Sequence, residues 1–289
     1  VIVVETAAAM RSARRALPGP VGFVPTMGAL HDGHVALVKR ARAESASVIT
    51  SIFVNPTQFG PGEDFAGYPR NRERDLAIFE EAGADAVFVP PVEDMYPAGS
   101  AACVDPGPRG EVLEGKHRPG HFRGVATVVT KLFAIVTPDR TYFGEKDAQQ
   151  LRIVRGLVHD LRLGVEIVGV PTVRAGDGLA LSSRNVHLKP EERGQAAVLY
   201  RGLRAAEARW AGGERDAEAI RATIRETVGS SPLVKLEYVS VADSDTLEEL
   251  RVIGDRPTLV SLAARVGATR LIDNMTLPPG ASPAGTGRG

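Results

Sequence analysis

Apolar and polar positions in the first half of the chain switch repeatedly between short β-rich runs and longer helical segments. Val1–Glu5 reads as a strand, and Ala7–Leu17 as a helix favoured by its alanines and arginines. Val21–Pro25 is a second strand, and Gly28–Gly33 interrupts the pattern before a helix from about His34 to Ala43. Val48–Asn55 is mostly apolar without alternating, as expected of a strand covered on both faces. Asp75–Ala82 has a helical pattern and Ala86–Val89 reads as a short strand. Val125–Val136 is long enough for a core helix, Gly144–Leu157 becomes helical after a polar opening, and Val165–Val170 is a further strand. This order predicts a parallel α/β sheet.

Two segments resist the alternation. Asn55–Arg70 and Ala98–Gly120 are punctuated by glycine and proline and read as loops, the second with a helical turn around Val112–Glu114. The character changes after about Val173. Pro190–Trp210 and Arg215–Val228 read as amphipathic helices, whereas Lys235–Val241, Thr258–Arg265 and Thr269–Asp273 read as strands. The predicted organisation is a larger domain over 1–173 and a smaller C-terminal α/β domain over 174–277. A loose tail over 278–289 is composed mostly of residues that bury little apolar area.

Composition narrows the function classes. Acidic and basic residues balance at 35 each, so net charge gives no reason to expect a nucleic-acid partner or an anionic membrane surface. Cys103 is the single cysteine, which excludes an intramolecular disulfide and a thiolate zinc cluster. No apolar run reaches the roughly 18 residues needed to span a bilayer. The Val1–Val4 run leads to Glu5, Arg11, Arg14 and Arg15 without the order of a signal peptide. The expectation is a soluble, cytoplasmic protein.

Three polar constellations stand out. The first is Pro25–His34, between a strand and a helix, where the helix start offers unpaired N–H groups and Gly33 permits close approach of a phosphate. His31 and His34 can donate to phosphoryl oxygens, or carry charge there if their pKa values rise. Metal binding and a purely structural role stay open, although no third metal ligand is evident from local spacing. Neither a Gly-x-x-x-x-Gly-Lys-Ser/Thr loop nor a Gly-x-Gly-x-x-Gly fingerprint occurs, which weakens P-loop ATPase and NAD dehydrogenase readings.

The second is Phe143–Gln150, in which Lys146 suits triphosphate charge, Asp147 a ribose hydroxyl and Gln150 a carboxylate or hydroxyl. A polar helix start is the plain alternative. The third is Leu181–Asn185, where Ser182, Ser183 and Arg184 form a clamp for β- and γ-phosphates or an ordinary Ser/Asn turn. Asn55 and Gln58 orient a small polar substrate or cap a loop, and Arg118 and His121 bind an anion or belong to a basic loop. Tyr68 walls a pocket or covers one. Cys103 reads as a buried or incidental thiol, and the serines lack the context of a catalytic triad.

Together, Pro25–His34, Ser51–Pro56 with Gln58–Phe59, Tyr68–Arg70, His121–Val125, Phe143–Gln150 and Leu181–Asn185 resemble, in order and interval, the pantothenate synthetase (pantoate–β-alanine ligase) family. The resemblance runs from Val1–Glu5 to Arg270–Asn274. It implies a Rossmann-like nucleotide-binding domain with a smaller C-terminal α/β domain that closes as a lid. His31-Asp32-Gly33-His34 looks like the HIGH signature of the nucleotidyltransferase superfamily, and Ser182-Ser183-Arg184 takes the place of its second phosphate-binding motif. Thr57 stands where many relatives have methionine.

By resemblance, ATP and Mg²⁺ activate pantoate as an adenylate, and β-alanine then displaces AMP to give pantothenate, on the way to coenzyme A. His31, His34 and Lys146 would stabilise the phosphoryl transition state, with Ser182, Ser183 and Arg184 at the β/γ end. Gln58 and Gln150 look like pantoate ligands, supported by Arg118 and His121. Gly144, Asp147 and the Val173 backbone resemble the adenosine set, and the Met27 N–H would meet a phosphate. The resemblance also implies a homodimer acting on these small molecules without nucleic acid or membrane, and it leaves the metal ligands unassigned. The rival is a related nucleotidyltransferase that passes AMP or CMP to a phosphorylated substrate and forms no amide.

Overall fold

A computed structural model describes residues 1–60 and 65–279. Residues 61–64 of the expected Asn55–Arg70 loop, and the expected tail from residue 280, lie outside the described residues. The chain divides into two compact units, Val1–Val173 and a second that begins at Arg174.

In chain order the first unit contains β1 (Ile2–Val4), α1 (Ala7–Ala16), β2 (Val21–Thr26), α2 (Asp32–Glu44), β3 (Ser47–Ile52), α3 (Arg72–Glu81) and β4 (Ala86–Phe88). There follow α4 (Val92–Met95), α5 (Glu114–His117), α6 (His121–Val136), β5 (Arg140–Gly144), α7 (Ala148–Asp160) and β6 (Glu166–Val170). The six strands form one sheet in the order β1-β4-β3-β2-β5-β6, and every pair is parallel. Alternation along β2 sets the layers. Val21 and Phe23 join a core with Met10 of α1, Phe133 of α6 and Leu151 of α7. Val24 faces the other way, toward Leu37 and Val38 of α2 and Phe79 of α3. Both faces are thereby covered, as parallel sheets require. Burying Phe23 alone contributes about 1.5–3 kcal/mol.

Strand β5 was not expected. Its strongly apolar positions are only Tyr142 and Phe143, which merge by pattern with the polar turn that follows. Helix α2 starts at Asp32, ahead of the expected His34, because His31 caps it. Helix α3 starts three residues ahead of the expected Asp75, where the Asn71 side chain accepts from the Arg74 N–H at 3.1 Å. The turn expected around Val112–Glu114 lies slightly later, as α5, after Leu113 at φ 48°.

The second unit contains α8 (Pro190–Ala196), α9 (Val198–Ala211), α10 (Ala217–Gly229), β7 (Val234–Asp243), β8 (Thr258–Val266) and β9 (Thr269–Leu277). Its strands form an antiparallel sheet, β7-β8-β9. Leu199, Leu203, Ile220 and Ile224 pack with Val260, Leu262 and Val266. The single helix expected over Pro190–Trp210 is two helices that meet at Ala197. Alanine favours helix, so the break has no local sequence signal. Among the described residues no helix is long and apolar enough to cross a membrane.

Candidate active site

The strand order reverses between β2 and β5, and this is where open α/β sheets place ligands, beyond the carboxyl ends of the strands. The two strands pair only at Gly22–Arg140 and Phe23–Thr141. Each stays paired with its outer neighbour to its last residue, β2 through Thr26–Ile52 and β5 through Gly144–Val170. The sheet therefore parts over the ends of β2 and β5 and leaves a crevice. Pro25, which has no N–H, is tolerated in a central strand here because its segment pairs on one side only.

The turn leaving β2 carries the paired histidines. Ala29 has φ 52°, a left-handed conformation that costs a non-glycine residue about 1–2 kcal/mol. The buried carboxylate of Asp75 on α3 holds it, accepting from the Ala29 N–H at 2.9 Å and the Leu30 N–H at 3.0 Å. His31 Nδ1 accepts from the Gly33 N–H at 3.1 Å, and His34 Nδ1 from the His31 N–H at 3.3 Å. A backbone N–H can only donate, so both Nδ1 atoms are unprotonated and each neutral ring carries its proton on Nε2. The ring centroids are 4.2 Å apart.

Burial, and then the Lys146 charge, hold His31 below the ordinary imidazole value. Burial, reinforced by His31, pushes His34 down to about 3, although part of its surface stays accessible. Of the two forms that the sequence leaves open, hydrogen-bond donor or cation, this geometry fits the neutral donor. Gly33 also acquires a different purpose: a Cβ there would lie 2.8 Å from the His31 ring, so its space admits the imidazole that caps α2.

Across the crevice β5 ends at Gly144, followed by a 3₁₀ turn, Glu145–Asp147, and the start of α7. Lys146 Nζ is 3.7 Å from Asp147 Oδ1, and both charges act on the two histidines. The two constellations thus converge electrostatically. Gln150 is half-buried in the first turn of α7, whereas Gln149 is buried and spends its amide on the loop before α5. It accepts from Glu114 N–H at 3.0 Å and donates to the Arg109 and Val112 carbonyls, both at 2.8 Å. Val173 lies beyond β6, at the end of the first unit.

On the other side of β2, the chain leaving β3 forms a 3₁₀ turn, Pro56–Gln58, capped by Asn55. Gln58 Oε1 accepts from Asn55 Nδ2 at 3.0 Å, while its Nε2 reaches Met27 Sδ at 3.1 Å. His121 Nδ1 lies 2.8 Å from the Gln58 carbonyl and its Nε2 3.0 Å from Arg118 Nη1. A carbonyl only accepts and a guanidinium only donates, so His121 is a neutral Nδ1–H tautomer, opposite to His31 and His34. It supports Gln58 and Arg118 with both nitrogens. The turn is pressed onto α6: a Cβ at Gly124 would lie 2.4 Å from the Thr57 carbonyl oxygen. Tyr68 stands edge-on to Phe59, centroids 6.0 Å apart, and Cys103 is exposed, not buried.

Ser182, Ser183 and Arg184 belong to the second unit. Ser182 Oγ accepts from the Arg184 N–H at 3.3 Å and caps a 3₁₀ turn, Ser183–His187, with the Arg184 side chain exposed. Sequence reasoning missed Asp75 as a support of the histidine turn, and the loop-holding role of Gln149. An acidic residue inside a predicted helix reads as a solvated face, and only the fold shows it to be buried. Among the described residues no three His, Cys, Asp or Glu side chains are grouped to hold a metal ion.

Known proteins resemble this chain in sequence and fold. The chain is 60% identical over 275 residues to a pantothenate synthetase of Chloroflexus aggregans, covering 95% of this chain and 99% of that protein. It resembles a crystal structure of pantothenate synthetase from Thermus thermophilus, with TM-score 0.90, 50% identity, and coverage of 96% of this chain and 100% of that one. A pantoate-beta-alanine ligase from Francisella tularensis, complexed with beta-gamma ATP and beta-alanine, matches with TM-score 0.78 and 37% identity over 95% of this chain and 97% of that one. Residues 2–276 match the family profile described as Pantoate-beta-alanine ligase. The chain belongs to the pantoate-beta-alanine ligase family.

Proposed function

We propose that the chain condenses pantoate with β-alanine using ATP, through a pantoyl adenylate, and releases AMP and diphosphate. The observation that carries the proposal is the pair of neutral Nε2–H donors, His31 and His34, beside Lys146 at the parted ends of β2 and β5. A pantoate carboxylate oxygen attacks the α-phosphorus of ATP, the bond to the β-phosphate bridging oxygen breaks, and diphosphate leaves. The carboxylate is already ionised, so this step needs no general base. Fixed donors aimed at the developing charge lower its barrier. The unprotonated amine of β-alanine then attacks the acyl carbon, loses a proton to solvent, and expels AMP.

In this reading His31, His34 and Lys146 stabilise the transferring phosphoryl group. Met27 N–H meets a phosphate, and Gly144, Asp147 and Val173 receive adenosine. Gln58 and Gln150 hold pantoate, with Arg118 and His121 supporting that side. Ser182, Ser183 and Arg184 of the second unit, which serves as a lid, engage the β/γ end. Mg²⁺ enters as the MgATP substrate, its charge spread over phosphate oxygens. A homodimer in the cytoplasm, with no nucleic-acid or membrane partner, is part of the same proposal.

The test is exchange of labelled diphosphate into ATP with Mg²⁺ and pantoate, without β-alanine. Pantoate-dependent exchange is expected. Folded protein that binds ATP and pantoate yet exchanges nothing would sink the adenylate step. A stable nucleotidylated product would favour the rival transferase.

A further inference from the structure

A carboxamide can present either an acceptor or a donor with nearly the same shape, so the polarity of Gln58 must be set by its surroundings. Asn55, 1% exposed, sets it. Its Oδ1 accepts from the Thr57 N–H at 3.3 Å, the Thr57 hydroxyl at 3.0 Å and the Tyr96 phenol at 2.8 Å. The Thr57 N–H can only donate, which fixes which end of the Asn55 amide is oxygen. Asn55 Nδ2 then donates to the Gly124 carbonyl at 3.2 Å and to Gln58 Oε1 at 3.0 Å. Gln58 is left with its NH₂ directed at Met27 Sδ. A thioether is a weak acceptor and is readily replaced by an oxygen.

The far end of this chain of contacts is also held. Tyr96 and Thr57 hydroxyls are 3.2 Å apart, and Lys131 Nζ stands 4.3 Å from the Tyr96 ring centre while bonding the Met95 carbonyl at 2.7 Å. We infer that Thr57 and Tyr96 are positioning residues for substrate selection. By clamping Asn55 they keep Gln58 donor-outward, so that the place beside Met27 takes an acceptor oxygen of the acid substrate. The inference rests on the proposed assignment of Gln58 to pantoate.

The test compares Thr57→Val, Thr57→Ser and Tyr96→Phe in diphosphate exchange, after wild-type exchange has been established. Absent wild-type exchange, the proposed function fails, independently of the clamp. With exchange present, Thr57→Val and Tyr96→Phe are each expected to raise KM for pantoate about three- to tenfold, the worth of one hydrogen bond. kcat and KM for ATP should stay within about twofold, and Thr57→Ser should restore pantoate KM. Tyr96→Phe removes one oxygen without changing shape, so it decides the matter if Thr57→Val misfolds. Unchanged pantoate KM, or equal losses in ATP KM and kcat with a wild-type thermal unfolding profile, would overturn the inference.

Discussion

Asp75 Oδ2 stands 2.9 Å from the amide nitrogen of Ala29, so a carboxylate on α3 restrains the turn that carries the paired histidines. Its second oxygen takes the Leu30 N–H at 3.0 Å, and the residue is 1% exposed. Asp75→Asn turns one acceptor into a donor facing an N–H. The expected loss is about 1–3 kcal/mol of stability, with diphosphate exchange at saturating substrates falling further than the unfolded fraction explains. Urea unfolding and exchange on the same preparation check this. Wild-type behaviour in both would mean that the turn holds itself.

The histidine geometry has a pH consequence whose sign is fixed. Unfolded His34 has the ordinary value of 6.5, and the folded ring is pushed to about 3. Between these values the unfolded chain binds the extra proton, so stability is complete above the unfolded value and is lost as pH falls toward the folded one. His34→Gln should flatten that acid limb in urea unfolding. Nitrogen-resolved NMR of the wild type should show Nε2–H tautomers for His31 and His34, without a His34 midpoint between about pH 5 and 8. A midpoint near the ordinary value would contradict the neutral-donor reading.

Lys146 meets developing phosphate charge in the proposed reaction, and Lys146→Met keeps most of its stem. The variant should lower kcat for exchange about 10²–10³-fold, the range for losing one preorganised electrostatic partner. Thermal unfolding should move far less than kcat, because the Asp147 carboxylate, 3.7 Å from the ammonium, is half-exposed and screened by solvent. A rise in KM for ATP with kcat preserved would assign Lys146 to ground-state binding.

Gly124→Ala would place a methyl carbon 2.4 Å from the Thr57 carbonyl oxygen, which must move. Forced displacement of packed backbone is expected to cost about 1–3 kcal/mol. KM for pantoate should rise with it, since Gln58 follows Thr57. Differential scanning calorimetry paired with pantoate titration separates the two effects, and a stable variant with unaltered pantoate KM would detach α6 from the substrate turn.

Much of the architecture was legible because long, patterned segments bury one stripe each. The parallel strands β2, β3, β4 and β6 and helices α1, α2 and α6 stand where apolar periodicity put them, within a few residues. Strand β5 escaped because two apolar residues carry no period, although it carries Lys146 at its end. The histidine motif was visible as a motif, but its protonation was not, since that depends on which nitrogen meets a backbone N–H. Asp75 and Tyr96 were silent for a related reason. Each acts on a turn more than 40 residues away, and nothing local records that distance.

The parting of β2 from β5 divides the sheet into a four-stranded leaf and a two-stranded leaf joined by two residue pairs. His31 and His34 ride on the first leaf and Lys146 on the second. The gap between donor pair and ammonium therefore depends on how the two leaves lie together as well as on the turns that leave β2 and β5. With only two residue pairs between the leaves, few backbone hydrogen bonds hold the donor pair and the ammonium in register.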